Sequence, residues 1–167
     1  MRLVNTSKTG SDSSPEPDML LTIEIPARVD CVALARMVVA AAANAAGVLD
    51  GDRLDDLRLV VSEATTNAIE ANIDAIYDPG SSEMVGQTLP PGSVVIECDM
   101  SDERVKLEVT DIGDGVSEPA PLPEITDPDR LFIEGGFGIP LIEHFSSVLH
   151  FNSIRTGTTV IIEMRQT

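Results

Sequence analysis

Apolar residues recur along this chain with the period of a helix in some segments and the period of a strand in others. Residues 53–73 are apolar at every third or fourth position, which predicts a helix with one buried face. The Ala-rich residues 28–46 predict an earlier helix ending at Gly47, and residues 139–145 predict a short later one that tolerates Pro140 in its first turn. The predicted core stripe of the longest helix consists of Leu54, Leu57, Val61, Ala64 and Ala68.

Alternation of apolar and polar residues predicts the strands. Every second residue is apolar over residues 94–100 and again over residues 105–109, which predicts a hairpin with one buried face. Residues 19–25 predict an earlier strand, and a final pair is predicted at about residues 147–153 and 158–165. The predicted fold class is therefore α+β: a two-layer α/β sandwich whose mixed, mostly antiparallel sheet is covered by helices on one face.

Segments of different composition set the limits of this domain. Residues 1–18 are rich in Ser, Asp and Pro and are predicted to be a disordered tail, which leaves residues 19–167 as a single domain. Pro and Gly residues break residues 74–92, so a long loop is predicted there. Residues 117–130, rich in Pro and acidic residues, predict a second loop.

Charge and cysteine content narrow the class of protein. The net charge of −17, with only 11 Lys and Arg among 167 residues, argues against a nucleic-acid partner, because phosphate binding needs clustered basic residues. Cys31 and Cys98 form no disulfide framework and are predicted to be free buried thiols. No secretory signal is visible, and polar residues interrupt the apolar residues 32–49. A cytoplasmic protein with no membrane segment is expected.

Glu63 and Asn67 lie four residues apart in the longest predicted helix, so they project from one side of it. A carboxylate beside a carboxamide offers oxygen ligands for a hard cation and a candidate general base. The same spacing is typical of a solvated helix face, so this pair alone does not decide between a structural and a functional role.

Two glycine-containing motifs follow. Asp111 ends the second strand of the predicted hairpin, and Gly113 and Gly115 after it allow a ligand to approach the backbone closely. A buried Asp in this position can accept a hydrogen bond from an exocyclic amine such as that of adenine. The run Gly135-Gly136-Phe137-Gly138 precedes a helix, whose first amides suit phosphate. Taken singly, each motif is also explained as a glycine-rich turn.

In this order and spacing, and with Gly157-Thr158-Thr159 before the last strand, the motifs resemble the GHKL ATPase superfamily. Residues 60–69, Val-Val-Ser-Glu-Ala-Thr-Thr-Asn-Ala-Ile, nearly match the N-box of its anti-sigma-factor serine kinases of bacteria. The resemblance covers about residues 20–165 and implies the Bergerat type of ATP-binding fold, with ATP and Mg2+ as cofactors. It also implies that the protein phosphorylates a serine on an anti-sigma-factor antagonist and sequesters a sigma factor. The family often forms dimers, so a homodimer is one option, although the sequence itself does not decide the oligomeric state.

The resemblance implies roles on the phosphate side of the site. Glu63 matches the general base that takes the proton from a substrate serine. Asn67 matches the ligand that holds Mg2+ against the ATP phosphates. Gly136 and Gly138 match the phosphate-side glycines of the ATP lid.

It also implies an adenine pocket and a partner-binding residue. Asp111 matches the adenine-reading carboxylate, Gly113 and Gly115 shape that pocket, and Thr158 matches a threonine near the adenine. Arg36, in the first predicted helix, matches a basic position that contacts partner proteins; its alternative is an arginine on the wet face of an Ala-rich helix.

Two departures from the family pattern bear on activity. Ala71 stands where the family usually has His, and Glu134 stands where many members carry an Arg that reaches the γ-phosphate. An anion beside a polyphosphate repels it and removes transition-state stabilisation. An alternative function is therefore a catalytically weak or inactive module that binds nucleotide or protein partners as a switch. The ATP domain of a histidine kinase is disfavoured, because His144 and His150 follow the lid motif and no helix pair with a phosphoacceptor His precedes the domain.

Overall fold

The computed structural model describes residues 2–3, 19–77, 92–101, 104–111, 138–154 and 157–166. Within these ranges the chain forms six strands and three α-helices, with a 3-10 turn before the first helix. In chain order the elements are β1 (Arg2–Leu3), β2 (Met19–Pro26), the 3-10 turn (Val29–Cys31), α1 (Val32–Ala46), α2 (Gly51–Tyr77), β3 (Ser93–Ser101), β4 (Arg104–Thr110), α3 (Gly138–Phe145), β5 (Val148–Ile154) and β6 (Gly157–Arg165).

The strands form a sheet in the order β1-β2-β3-β4-β6-β5, and every described pairing in it is antiparallel. The β3–β4 hairpin closes at the pair Ser101 and Arg104, and the β5–β6 hairpin closes at Ile154 and Gly157. Connections this short can join only antiparallel neighbours. The predicted strands and the α+β class are therefore confirmed, while the described residues contain no parallel pair of the kind a mixed sheet would include.

The strand alternation buries one face of the sheet under the helices. Val94, Ile96, Cys98 and Met100 of β3 are all fully buried, as the alternation predicts. On this face α1 packs over β2 and β3, α2 over β3, β4 and β6, and α3 over β5. The opposite face is polar and carries cross-strand ion pairs such as Arg104 with Glu163.

Helix α2 is the centre of the helical layer. The five residues of the predicted core stripe are each no more than 7% exposed. Its predecessor α1 ends as predicted at Gly47, which has the left-handed φ of 68° and donates its N–H to the carbonyls of Ala43 and Asn44. Only glycine adopts that conformation without a steric cost.

Helix α2 is longer than the prediction of residues 53–73. It begins at Gly51 and runs to Tyr77, so it includes the first residues of the predicted 74–92 loop. No Gly or Pro follows residue 73 until Pro79, and the helix stops two residues before that proline. Of the rest of that loop, residues 78–91 lie outside the described residues, as does the predicted 117–130 loop.

Residues 2–3 depart from the expected tail, because Arg2 and Leu3 pair with Glu24 and Ile23 as the two-residue strand β1. A pairing this short covers a small part of the outer edge of β2. The remaining tail residues, 1 and 4–18, lie outside the described residues.

Residues Val29–Ala46 are long and apolar enough to cross a membrane by length and composition, with a mean hydropathy of 1.6 over 18 residues. In the fold, α1 instead packs along α2, and Ala35, Val39 and Ala43 are fully buried. Its other side is exposed, with Leu34 at 39% and Met37 at 65%. The segment is therefore a packed helix of the helical layer with one exposed apolar face.

Candidate functional site

The first group of predicted site residues meets where α3 begins against the middle of α2. Glu63 and Asn67 are half-buried on α2, one turn apart. A Cβ atom on Gly138 would lie 2.8 Å from Glu63 Oε2 and 3.3 Å from both Asn67 Oδ1 and Nδ2. Carbon and oxygen atoms in ordinary contact are about 3.3 Å or more apart, so a side chain at position 138 would displace the Glu63 carboxylate, which is the flexible end of its side chain.

This contact places the amino end of a helix beside a carboxylate. Gly138 is the first residue of α3, and the first amides of a helix have no partner within it and carry partial positive charge. The Glu63 carboxylate therefore lies in a favourable local field. The same field would stabilise the oxygens of a bound phosphate group.

The oxygen atoms at this contact fit Mg2+ that is bound together with phosphate. Among the described residues, no group of three or more His, Cys, Asp or Glu side chains could hold a metal ion by itself. Mg2+ usually takes one or two protein oxygens and completes its octahedral shell with phosphate oxygens and water. Asn67 Oδ1 is a suitable protein oxygen, so the site suits a metal that arrives with a nucleotide.

The second group lies where β4 ends beside the start of β6. Asp111 is 5% exposed and Thr158 is 3% exposed. The Asp111 N–H donates to the Thr158 carbonyl at 3.0 Å, and the Thr158 N–H donates to Asp111 Oδ1 at 3.2 Å. A buried carboxylate is costly unless hydrogen bonds hold it, and this backbone amide is one such partner. The two residues for which the family resemblance implies a place near the adenine are therefore in hydrogen-bond contact.

The structure brings the predicted residues together in two groups, Glu63 with Asn67 and Gly138, and Asp111 with Thr158. The other predicted glycines, Gly113, Gly115 and Gly136, lie outside the described residues, as does Glu134.

Arg36 joins α1 to the site helix. Its Nη1 donates to Ser62 Oγ at 3.4 Å, and Ser62 Oγ in turn donates to the Arg58 carbonyl at 2.7 Å. Ser62 directly precedes Glu63, so α1 contacts α2 close to the candidate base. Arg36 is half-buried and therefore lies at the border between the helix contact and the exposed apolar face of α1.

Sequence reasoning missed Asn72, which is fully buried. Its Nδ2 donates to the carbonyls of Ala68, at 3.0 Å, and Ser93, at 3.3 Å, and so ties the last turns of α2 to the start of β3. Its Oδ1 has no hydrogen-bond partner within the described part of the chain. The available signal was its spacing, since Asn72 lies four residues after Ala68 and continues the core stripe of α2.

It also missed Arg53, in the first turn of α2. The Arg53 guanidinium donates to the main-chain carbonyls of Arg165 and Phe145, at 3.0 and 3.1 Å, and pairs with Asp56 at 2.8 Å. A cation at the positive end of a helix is unfavourable without such partners. The presence of an arginine at the start of the predicted helix was therefore the signal available in the sequence.

Comparison with known proteins identifies the family through one domain description. Residues 25–164 match the description of the histidine kinase-like ATPase domain. The chain is 26% identical over 140 residues to the serine-protein kinase RsbW of Oceanobacillus iheyensis, which covers 80% of this chain and 78% of that protein. A histidine kinase domain from the blue-light activated histidine kinase of Erythrobacter litoralis is similar in structure, with a TM-score of 0.43 and 21% identity. That match covers 84% of this chain and 61% of the solved chain, so this chain spans less than two thirds of it.

Proposed function

Because this chain belongs to the family of histidine kinase-like ATPase domains, we propose that it binds Mg·ATP and transfers the γ-phosphoryl group to a serine of a partner protein. The contact that Glu63 and Asn67 make with Gly138 is the observation that carries the proposal. It unites a candidate base, a candidate metal ligand and the amino end of a helix. Similarity to a serine-protein kinase supports a protein serine as the acceptor.

In the proposed reaction, the serine oxygen bonds to the γ-phosphorus while the bond from that phosphorus to the β–γ bridging oxygen breaks. The leaving group is ADP, and Glu63 accepts the serine proton. Mg2+, when bound with ATP, would neutralise charge on the phosphate oxygens. Asn67 would hold that ion through Oδ1, and the amides at the start of α3, where Gly138 lies, would hold phosphate oxygens. Gly136 is proposed to contribute to the same lid.

On the adenine side, Asp111 is proposed to accept a hydrogen bond from the exocyclic amine. Its burial and its bond to the Thr158 amide support this role, because a fixed acceptor reads a donor with little reorganisation. Gly113 and Gly115 are proposed to shape the same pocket. Thr158 is proposed to lie near the adenine.

The proposed regulatory role is that of an anti-sigma-factor-type kinase in the cytoplasm. It would sequester a sigma factor and phosphorylate the antagonist that releases it; the added dianion would weaken antagonist binding. The exposed apolar residues Leu34 and Met37, next to the half-buried Arg36, support α1 as the partner-binding face. A homodimer is proposed as the assembly.

Phosphoryl transfer tests this proposal. The protein is incubated with γ-labelled ATP, Mg2+ and candidate antagonist proteins, and label on the antagonist is measured. Glu63→Gln keeps the shape of the side chain and is expected to lower the transfer rate about 100-fold or more, with Mg·ATP affinity nearly unchanged. Equal rates for the wild-type protein and Glu63→Gln would exclude Glu63 as the base.

A second candidate function is a switch that binds Mg·ATP without transferring phosphate. The sequence favours it at one position, where Glu134 replaces the lid cation of the family pattern. An acidic residue there cannot stabilise charge that develops on the γ-phosphate. Calorimetric binding of Mg·ATP, with no label transferred to any candidate antagonist, would select this function. Recovery of transfer by Glu134→Arg would then identify the missing cation as the cause.

A further inference from the structure

Arg53 holds one end of α3. Its Nη2 donates to the carbonyl of Phe145, the last residue of that helix, at 3.1 Å. The last carbonyls of a helix have no partner within it and carry partial negative charge, so a guanidinium is a favourable cap. Its Nε also donates to the Arg165 carbonyl at the end of β6. Arg53 is only 18% exposed. Its planar guanidinium has three partners, namely the Phe145 carbonyl, the Arg165 carbonyl and the Asp56 carboxylate.

The other end of α3 is the candidate site. Gly138 begins the helix against Glu63 and Asn67. The eight residues of α3 span about 11 Å, and Arg53 and Glu63, ten positions apart, are separated by about 15 Å along α2. The two helices therefore lie side by side in opposite directions, and α2 contacts both ends of α3.

We propose that Arg53 is a positioning residue for the candidate nucleotide site. By holding the carboxyl end of α3 on α2, it fixes where Gly138 lies against Glu63 and Asn67. The inference rests on the proposed function, since it assigns a role in Mg·ATP binding. A helix of eight residues has little stability of its own, so its position depends on the contacts at its ends.

Other contacts keep α3 folded when Arg53 is changed. Ser147, just after the helix, donates its N–H to the Glu163 carbonyl at 2.8 Å and its hydroxyl to the same carbonyl at 3.0 Å. Ile142 remains buried in the core. Loss of the Arg53 cap is therefore expected to let the helix shift rather than detach.

The test compares Arg53→Met with Arg58→Met. Arg58 lies on the same helix, is 47% exposed and pairs only with Asp55 among the described residues, so its variant is a matched control. Mg·ATP affinity is measured by calorimetry, α3 protection by amide hydrogen exchange, and stability by thermal unfolding. Arg53→Met is expected to weaken Mg·ATP binding about tenfold and to speed exchange in α3, because the first amides of α3 are then no longer held in place for the phosphate oxygens. Arg58→Met is expected to change neither.

A double-variant cycle separates positioning from a general loss of stability. Sites more than about 10 Å apart ordinarily contribute additively to a measured free energy. If Arg53 acts through the position of α3, the added methyl of Gly138→Ala is tolerated better once the helix can shift. The fold-loss of Mg·ATP affinity in the double variant, Arg53→Met with Gly138→Ala, is then smaller than the product of the fold-losses in the two single variants. A loss equal to that product would overturn the proposal.

The remaining outcomes are also decisive. If Arg53→Met does not fold, Arg53→Lys is used instead; it keeps the charge but not the planar set of N–H donors, and a Mg·ATP affinity below that of the wild-type protein is expected. Wild-type affinity in every folded Arg53 variant would overturn the positioning role alone. Absence of Mg·ATP binding by the wild-type protein would overturn the proposed function, and the positioning role with it.

Discussion

Replacing Gly138 by Ala adds one methyl group at the contact between α3 and α2. The new Cβ would lie 2.8 Å from Glu63 Oε2, and it needs about 3.3 Å or more from an oxygen atom. The carboxylate or the helix must therefore move by about 0.5 Å. The two amide atoms of Asn67 are each 3.3 Å from the added carbon, so Asn67 has to give way by no more than a few tenths of an ångström.

The cost of Gly138→Ala is expected to fall on function rather than on folding. Glu63 ends in a flexible chain and can turn away, while Ala favours a helix over Gly by up to about 1 kcal/mol. The melting temperature should therefore change little. A displacement near 1 Å can cost about 100-fold in rate, so a shift of about 0.5 Å predicts roughly a tenfold loss of phosphoryl transfer. Transfer is followed with labelled ATP, Mg·ATP affinity by calorimetry, and stability by thermal unfolding.

Gly47→Ala is the matched control, since no atom lies within 4 Å of the Cβ it adds and only its φ of 68° is unfavourable. An alanine in the left-handed conformation costs about 1 kcal/mol of stability. Gly47 follows the last residue of α1 and belongs to neither group of site residues. Gly47→Ala should thus lower the melting temperature and leave Mg·ATP affinity unchanged. Full transfer activity and full affinity in Gly138→Ala would refute the steric reasoning.

Three further predictions concern other parts of the molecule. Asp111→Asn should weaken Mg·ATP binding about tenfold to 100-fold, because one charge-assisted hydrogen bond contributes about 1.5–3 kcal/mol; unchanged affinity in calorimetry would contradict the adenine role. Met37→Glu, on the exposed face of α1, should weaken capture of a candidate antagonist at least about tenfold with Mg·ATP affinity retained; full capture would remove α1 from the interface. Burial raises the pKa of the Cys98 thiol, so at mildly alkaline pH a disulfide reagent should modify the half-exposed Cys31 rapidly and Cys98 only on unfolding; equal rates in the folded protein would contradict the buried position.

The sequence predicted those parts of the fold that depend on local pattern. The core stripe of α2 and the alternation of β3 and β4 are periodic, so burial follows from the period of each element. The predicted end of α2, at residue 73, was four residues too early, because no Gly or Pro marks a helix end at that position.

The contacts between elements were less accessible to sequence reasoning. The motif order indicated Gly138, but only the structure shows how closely this glycine approaches the side chains of Glu63 and Asn67. The carbonyls that Arg53 contacts are 92 and 112 residues away in sequence and belong to main-chain groups that every residue carries. No residue type marks such acceptors, so the fold must be known before the contact can be found.

The Mg2+ dependence of ATP binding shows directly whether Asn67 holds the metal ion of the proposed nucleotide site. Calorimetry is performed with ATP plus Mg2+ and with ATP plus a chelator, for the wild-type protein and for Asn67→Ala. If Asn67 holds Mg2+ against the phosphates, the wild-type protein binds ATP in the presence of Mg2+ and loses at least about tenfold in affinity, or 1.4 kcal/mol, with the chelator. Asn67→Ala should bind weakly under both conditions. Wild-type affinity in Asn67→Ala, with the same Mg2+ dependence, would contradict the placement of the metal at the α2–α3 contact.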